Sequence, residues 1–121
     1  MSKKKILICE DDRGILDVVK LILENEGYMV FQADRKDSMY QLIPQHKPDT
    51  ILLDIWISGH DGAEITKELK SQEATSHIPI VLMSANSQTE KIAKSSGADD
   101  FLLKPFNIEE LVSIVRRYAG A

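Results

Sequence analysis

Only one cysteine, Cys9, occurs in the 121 residues. No internal disulfide can staple the fold, and a lone thiol inside an apolar run suits a small buried side chain in a reducing cytoplasm. Long hydrophobic runs are also missing. After Lys3, Lys4 and Lys5 only four apolar residues precede Glu10, too few for a signal-peptide core, and no stretch approaches membrane-spanning length. Neither secretion nor a membrane is indicated. Charge of one sign is not in excess: 15 Lys and Arg against 19 Asp and Glu leave −4, a surface that repels a phosphate backbone, so no direct nucleic-acid partner is expected. No GxGxxG or P-loop follows the first apolar run, which argues against a nucleotide cradle. His46, His60 and His77 lack ligand spacing, and Cys9 has no cationic neighbour in sequence to activate it, so zinc and thiolate chemistry are both disfavoured.

What is present is an ordinary globular composition, with 43% hydrophobic and 28% charged residues. At roughly 100–200 residues per domain, the length allows a single domain over residues 1–121. Short apolar runs recur at Ile6–Cys9, Met29–Phe31, Ile51–Leu53, Ile78–Met83 and Phe101–Leu103. Their lack of polar alternation predicts strands covered on both faces, as in a parallel sheet. Between them Ile15, Val18, Val19 and Ile22, then Ile65 and Leu69, then Ile108, Leu111, Val115 and Tyr118 fall at helical spacing. Gly27 and Gly97 sit where left-handed helix ends are wanted, and Ser87 with Glu90 and Asn107 with Glu110 have N-cap spacing. The helix after Ser87 has only Ile92 and Ala93 as clear core positions, so weak anchoring is expected. The pattern predicts an α/β doubly wound parallel sheet of five strands with helices on both faces.

Such sheets bind ligands outside the carboxyl ends of their strands. There stand Glu10, Asp11 and Asp12 after the first strand, Asp54 at the end of the third, Ser84 after the fourth, and Lys104 with Pro105 after the fifth. Each alone could be a cap, a turn residue or a solvated charge. Together they are harder to dismiss, because Asp54 ends a buried strand and needs a cation nearby. Clustered carboxylates offer hard oxygen ligands suited to Mg²⁺, or to Mn²⁺ in its place. A carboxylate, a divalent ion, a hydroxyl and a lysine so arranged can transfer a phosphoryl group onto Asp54.

ILICEDD from Ile6, LLDIWISGHDG from Leu52, VLMSA from Val81 and GADDFLLKPF from Gly97 resemble, in order and over nearly the whole chain, the receiver domains of two-component response regulators, the CheY-like superfamily. The resemblance implies a flavodoxin-like (βα)5 fold with strand order 2-1-3-4-5. It implies a Mg²⁺-dependent phosphorylation switch that catalyses its own aspartyl phosphorylation and dephosphorylation. The donor would be a sensor histidine kinase or a histidine phosphotransfer protein, and a downstream protein would read the modified surface. Asp54 matches the phosphoacceptor. Asp11 matches the direct metal ligand, Glu10 the water-mediated one, and Trp56 the residue whose backbone carbonyl completes the set. Ser84 matches the switch hydroxyl, Lys104 the lysine on the phosphoryl oxygens, Phe101 the aromatic that turns inward, and Pro105 the residue after a cis peptide.

Two departures stand out. Ser58 replaces a common proline, which is expected to loosen the loop after Asp54, and Ser84 replaces a commoner threonine but keeps the hydroxyl. Met1 and the end soon after the last helix point to a natural single-domain regulator more than to a receiver excised from a longer protein. Two other classes compete. A Mg²⁺ phosphohydrolase would want an Asp-x-Asp pair, and Asp54 is followed by Ile55 and Trp56. A constitutive binding module would not need the complete acidic site.

Overall fold

The computed structural model describes residues 3–120. In chain order the elements are β1 (Lys5–Cys9), α1 (Arg13–Asn25), β2 (Met29–Ala33), α2 (Lys36–His46), β3 (Thr50–Asp54), the two-residue strands β4 (Trp56–Ile57) and β5 (His60–Asp61), α3 (Gly62–Ser71), β6 (Ile80–Ser84), α4 (Thr89–Ser96), β7 (Asp100–Leu103) and α5 (Ile108–Ala119). The five longer strands form one parallel sheet in the order β2-β1-β3-β6-β7. Counting only those five, this is the 2-1-3-4-5 order of the flavodoxin-like fold. The antiparallel hairpin β4–β5 is an addition that the apolar runs did not announce.

Successive side chains of a strand point to opposite faces, so an unbroken apolar run feeds two cores at once. Ile6 and Ile8 of β1 join Leu52, Val81 and Met83 under α1 and α5, against Leu16, Val19, Leu23, Leu111 and Val115. Leu7 and Cys9 join Ile51, Leu53, Ile80 and Leu82 on the other face, against Met39, Ile43, Ile65, Leu69 and Ala93 from α2, α3 and α4. Each fully buried Leu or Ile contributes about 1.5–3 kcal/mol, so the two layers hold the strand ends rigidly where the candidate site lies.

The helices differ from the sequence reading in three places. In α1 the buried stripe is Leu16, Val19 and Leu23; Val18, expected inside, is 56% exposed, and Leu21 is 70% exposed. The helix is apolar over more than one face, so a second stripe at the same spacing wins the core. α2 lacks a side-chain cap at Arg35, carries Pro44 near its end and buries only Met39 and Ile43, which leaves little periodicity to read. α4 begins at Thr89, and Ser87 does not cap it. Ser84 Oγ accepts from the Asn86 amide at 3.0 Å and Asn86 Oδ1 from the Gln88 amide at 2.7 Å, so the chain keeps turning past Ser87. Asn107 and Glu110 form the full capping box at the start of α5. α4 is eight residues long and buries only Thr89, Ala93 and Ser96, all small.

Candidate functional site

Parallel strands bring their carboxyl ends to one edge, and four charged side chains meet there. Glu10 follows β1 and is held by its own backbone, whose amide donates to the Ala33 carbonyl at 3.0 Å, so its side chain is 1% exposed. Asp54 is the last residue of β3, with a side chain 13% exposed. Lys104 follows β7, and its amide donates to the Ser84 carbonyl at 2.9 Å, which ties those two strand ends together. The Lys104–Pro105 peptide is cis. The Lys104 ammonium lies between the two acids, donating to Glu10 Oε1 and, at 3.3 Å, to Asp54 Oδ2.

Carboxylate oxygens of Glu10, Asp11 and Asp54 all lie within 4.8 Å of one another. Burial pushes the Glu10 carboxyl up to about 7; its hydrogen bond with Asp54 adds to the rise and Lys104 opposes it. For Lys104 burial works against the ammonium, but Glu10 and Asp54 outweigh that and raise its pKa above the ordinary lysine value. One ammonium thus shares two crowded acids while Asp11 remains exposed beside them, an excess of hard oxygen donors that fits a divalent cation. Cys9, next in sequence to Glu10, takes no part: it is fully buried and burial pushes its thiol up.

The remaining residues singled out by sequence stand around this centre. Asp12 caps α1, accepting from the Ile15 amide at 3.1 Å. Ser84 Oγ accepts from Asn86 and keeps its own proton to donate. Phe101 pairs across from Leu82 and is half-buried against the α2–α4 core. Trp56 stands in β4, 60% exposed, with its amide 3.5 Å from Asp54 Oδ1.

Two residues matter to the site in ways that the sequence did not announce. Gly62, the first residue of α3, sits so close to the strand end that an added Cβ would fall inside the contact radius of the Asp54 carbonyl oxygen and 2.9 Å from Ile55 Cα. A DG pair before a helical stretch was the available signal. Ser58 was expected to loosen its loop and does the reverse. Its amide donates to Asp11 Oδ2 at 2.9 Å and its hydroxyl to the Asp34 carbonyl at 2.7 Å, tying three loops together. Proline could make neither bond, because it has no N–H and no hydroxyl.

The profile of the response regulator receiver domain family matches residues 6–116. The chain belongs to this family. The receiver is 36% identical over 115 residues to the phosphate regulon transcriptional regulatory protein PhoB of Pseudomonas aeruginosa, covering 93% of this chain and 50% of that protein. It is 39% identical over 114 residues to the DNA-binding dual master transcriptional regulator RpaA of Synechocystis, covering 93% and 47%. The chain therefore spans about half the length of the curated relatives it matches. Among solved structures, the receiver superposes on the chemotaxis response regulator CheY4 of Vibrio cholerae with a TM-score of 0.89 at 25% identity, covering 97% and 99% of the two chains. It superposes on the receiver domain of a sensor histidine kinase from Pseudomonas aeruginosa with a TM-score of 0.88 at 29% identity, covering 99% and 100%; that structure has a magnesium ion coordinated in its active-site cleft. The chain is thus a two-component receiver, a module of phosphorylation-dependent signalling. Among its described residues no helix is long and apolar enough to cross a membrane.

Proposed function

We propose that the receiver takes a phosphoryl group onto Asp54 from a phosphohistidine on a sensor kinase or phosphotransfer protein, with Mg²⁺, and that the modified surface changes its affinity for a downstream protein. The observation that carries this reading is the Lys104 ammonium bridging Glu10 and Asp54, with the Asp11 carboxylate inside the same cluster. Asp54, Asp11, the Trp56 carbonyl and, through water, Glu10 would hold the ion, which when bound draws off charge from the phosphoryl oxygens. An Asp54 carboxylate oxygen attacks phosphorus, a P–O bond forms, and the P–N bond breaks with its electron pair leaving on the donor imidazole. Lys104 holds one phosphoryl oxygen and Ser84 donates its hydroxyl proton to another. A protein donor has apolar surface to rest on beside the site, where Ile15, Val18, Pro105 and Phe106 line one cavity and Ile108 extends it.

The response is a population shift. A phosphoryl group adds about −1.5 to −2 charge, draws Ser84 toward it and leaves space for Phe101. The short, lightly buried α4 is the element whose equilibrium this biases. After incubation with Mg²⁺ and a small phosphodonor, intact-mass measurement should show a gain of one phosphoryl group, absent from Asp54→Asn. No gain in the wild type beside a competent control receiver would leave a constitutive binding module as the better reading.

Metal binding has its own reporter, since Trp56 is the only tryptophan. Titration with Mg²⁺ should change its emission saturably, and Asp11→Ala should weaken the response sharply. An unaltered titration in that variant would move the ligand role to Asp12 or elsewhere. Because Glu10 sits near 7, binding should also release protons around neutral pH and weaken as the solution is acidified, which titration calorimetry in buffers of different ionisation enthalpy would measure.

A further inference from the structure

Ser58 is one of two non-glycine residues with positive φ among the described residues, at 44°. For an L side chain that conformation costs roughly 1–2 kcal/mol, so something must hold it. Its hydroxyl does so by donating to the Asp34 carbonyl just after β2. The turn aims the Ser58 amide outward, where it donates to Asp11 Oδ2 at 2.9 Å. Asp11 is exposed and makes no other hydrogen bond among the described residues, so this amide is what fixes its carboxylate. The carboxylate so held is the one that offers an oxygen to the cluster with Glu10 and Asp54.

We propose that Ser58 is a positioning residue for the cation site: its main-chain N–H pre-orients Asp11 for a divalent ion, and its hydroxyl holds the strained turn that makes this possible. The inference rests on the reading of Asp11 as a Mg²⁺ ligand. An amide that holds a ligating carboxylate lowers the ordering cost of binding, and partners of this kind are typically worth on the order of tenfold or more in metal affinity. The hydroxyl matters only because serine is strained. Glycine, which adopts positive φ freely, should keep the N–H in place without it.

The test is Mg²⁺ titration calorimetry of the wild type, Ser58→Pro and Ser58→Gly. Ser58→Pro removes the donor and should weaken binding on the order of tenfold; Ser58→Gly keeps the donor and should stay within about twofold of wild type. The ¹H–¹⁵N signal of Ser58 in the metal-free wild type should lie downfield and move upfield in Asp11→Ala. That second measurement decides the matter even if Ser58→Pro fails to fold. Equal affinity in Ser58→Pro and wild type, a loss in Ser58→Gly as large as in Ser58→Pro, or a Ser58 amide indifferent to Asp11→Ala would each overturn the positioning role. A wild type that binds no Mg²⁺ would overturn the ligand assignment beneath it, and the positioning role with it.

Discussion

Gly62→Ala should remove most of the phosphoryl gain proposed for the receiver and lower its stability by about 2–3 kcal/mol. The methyl group would press on the Asp54 carbonyl oxygen, Ile55 Cα at 2.9 Å and the Ile55 carbonyl at 3.0 Å, all backbone atoms with no side-chain freedom to give way. The Gly62 amide also donates to the Ile55 carbonyl, so α3 is fastened to the chain directly behind Asp54. Pushing the two apart shifts Asp54 relative to Lys104, and misplacement of about 1 Å is enough to cost on the order of a hundredfold in a positioned reaction. Gly59→Ala is the matching control. It has positive φ but nothing within 4 Å of an added Cβ, so it should cost only the backbone strain of roughly 1–2 kcal/mol and leave phosphorylation in place. Thermal unfolding with the rate of mass gain on the two variants would check this; equal phosphorylation in Gly62→Ala and wild type would show that the close approach does not set the site.

Lys104→Ala should lower metal-free stability by about 3 kcal/mol at high pH, because it strips the shared cation from two carboxyl groups that are 1% and 13% exposed. The loss should depend on pH in a defined direction. Glu10 has a folded-state pKa raised from 4.5 to about 7, so the folded protein holds this proton more tightly than the unfolded chain. The stabilisation from that proton is fully present below 4.5 and is lost as pH rises through about 7. Removing Lys104 takes away the one neighbour that lowers this pKa, which widens the window upward. The variant should therefore lie nearest the wild type in acid and farthest from it in mild alkali. Mg²⁺ supplies the missing countercharge and should restore more stability to the variant than to the wild type, while phosphorylation and the response to it remain poor. Melting temperatures with and without Mg²⁺ at acidic and alkaline pH would show this. A pH-independent loss would mean that Glu10 does not titrate with the pair.

The features legible in the sequence are those that local chemistry writes into consecutive residues. Unbroken apolar runs mark strands buried on both faces, and the residues immediately after them are fixed at the sheet edge by topology, so Glu10, Asp11, Asp54, Ser84 and Lys104 could be placed together. The Asn107–Glu110 capping box is equally local. Features that depend on a distant partner were not legible. Leu16 and Ile15 offer competing stripes in α1, and only the sheet beneath decides between them. The start of α4 depends on Ser84 and Asn86 side chains capturing amides two residues ahead. Ser58 reads as a lost proline until its φ of 44° and its partners Asp11 and Asp34 are seen. Gly62 draws no attention in the sequence, and its place shows only where α3 meets the main chain of Asp54.

Asp54, and no other group in this cluster, is the residue proposed to carry the phosphoryl group. An aspartyl phosphate is an acyl phosphate, and borohydride reduces it to homoserine while leaving unmodified aspartate and phosphoserine unchanged. Phosphorylation with Mg²⁺ and a small phosphodonor, reduction, and peptide mapping should place homoserine at position 54 alone, with none formed when Mg²⁺ is chelated. Homoserine at Asp11 or Asp12, phosphate retained on Ser84, or an unmodified Asp54 peptide from protein that had gained phosphate would each place the phosphoryl group on another residue.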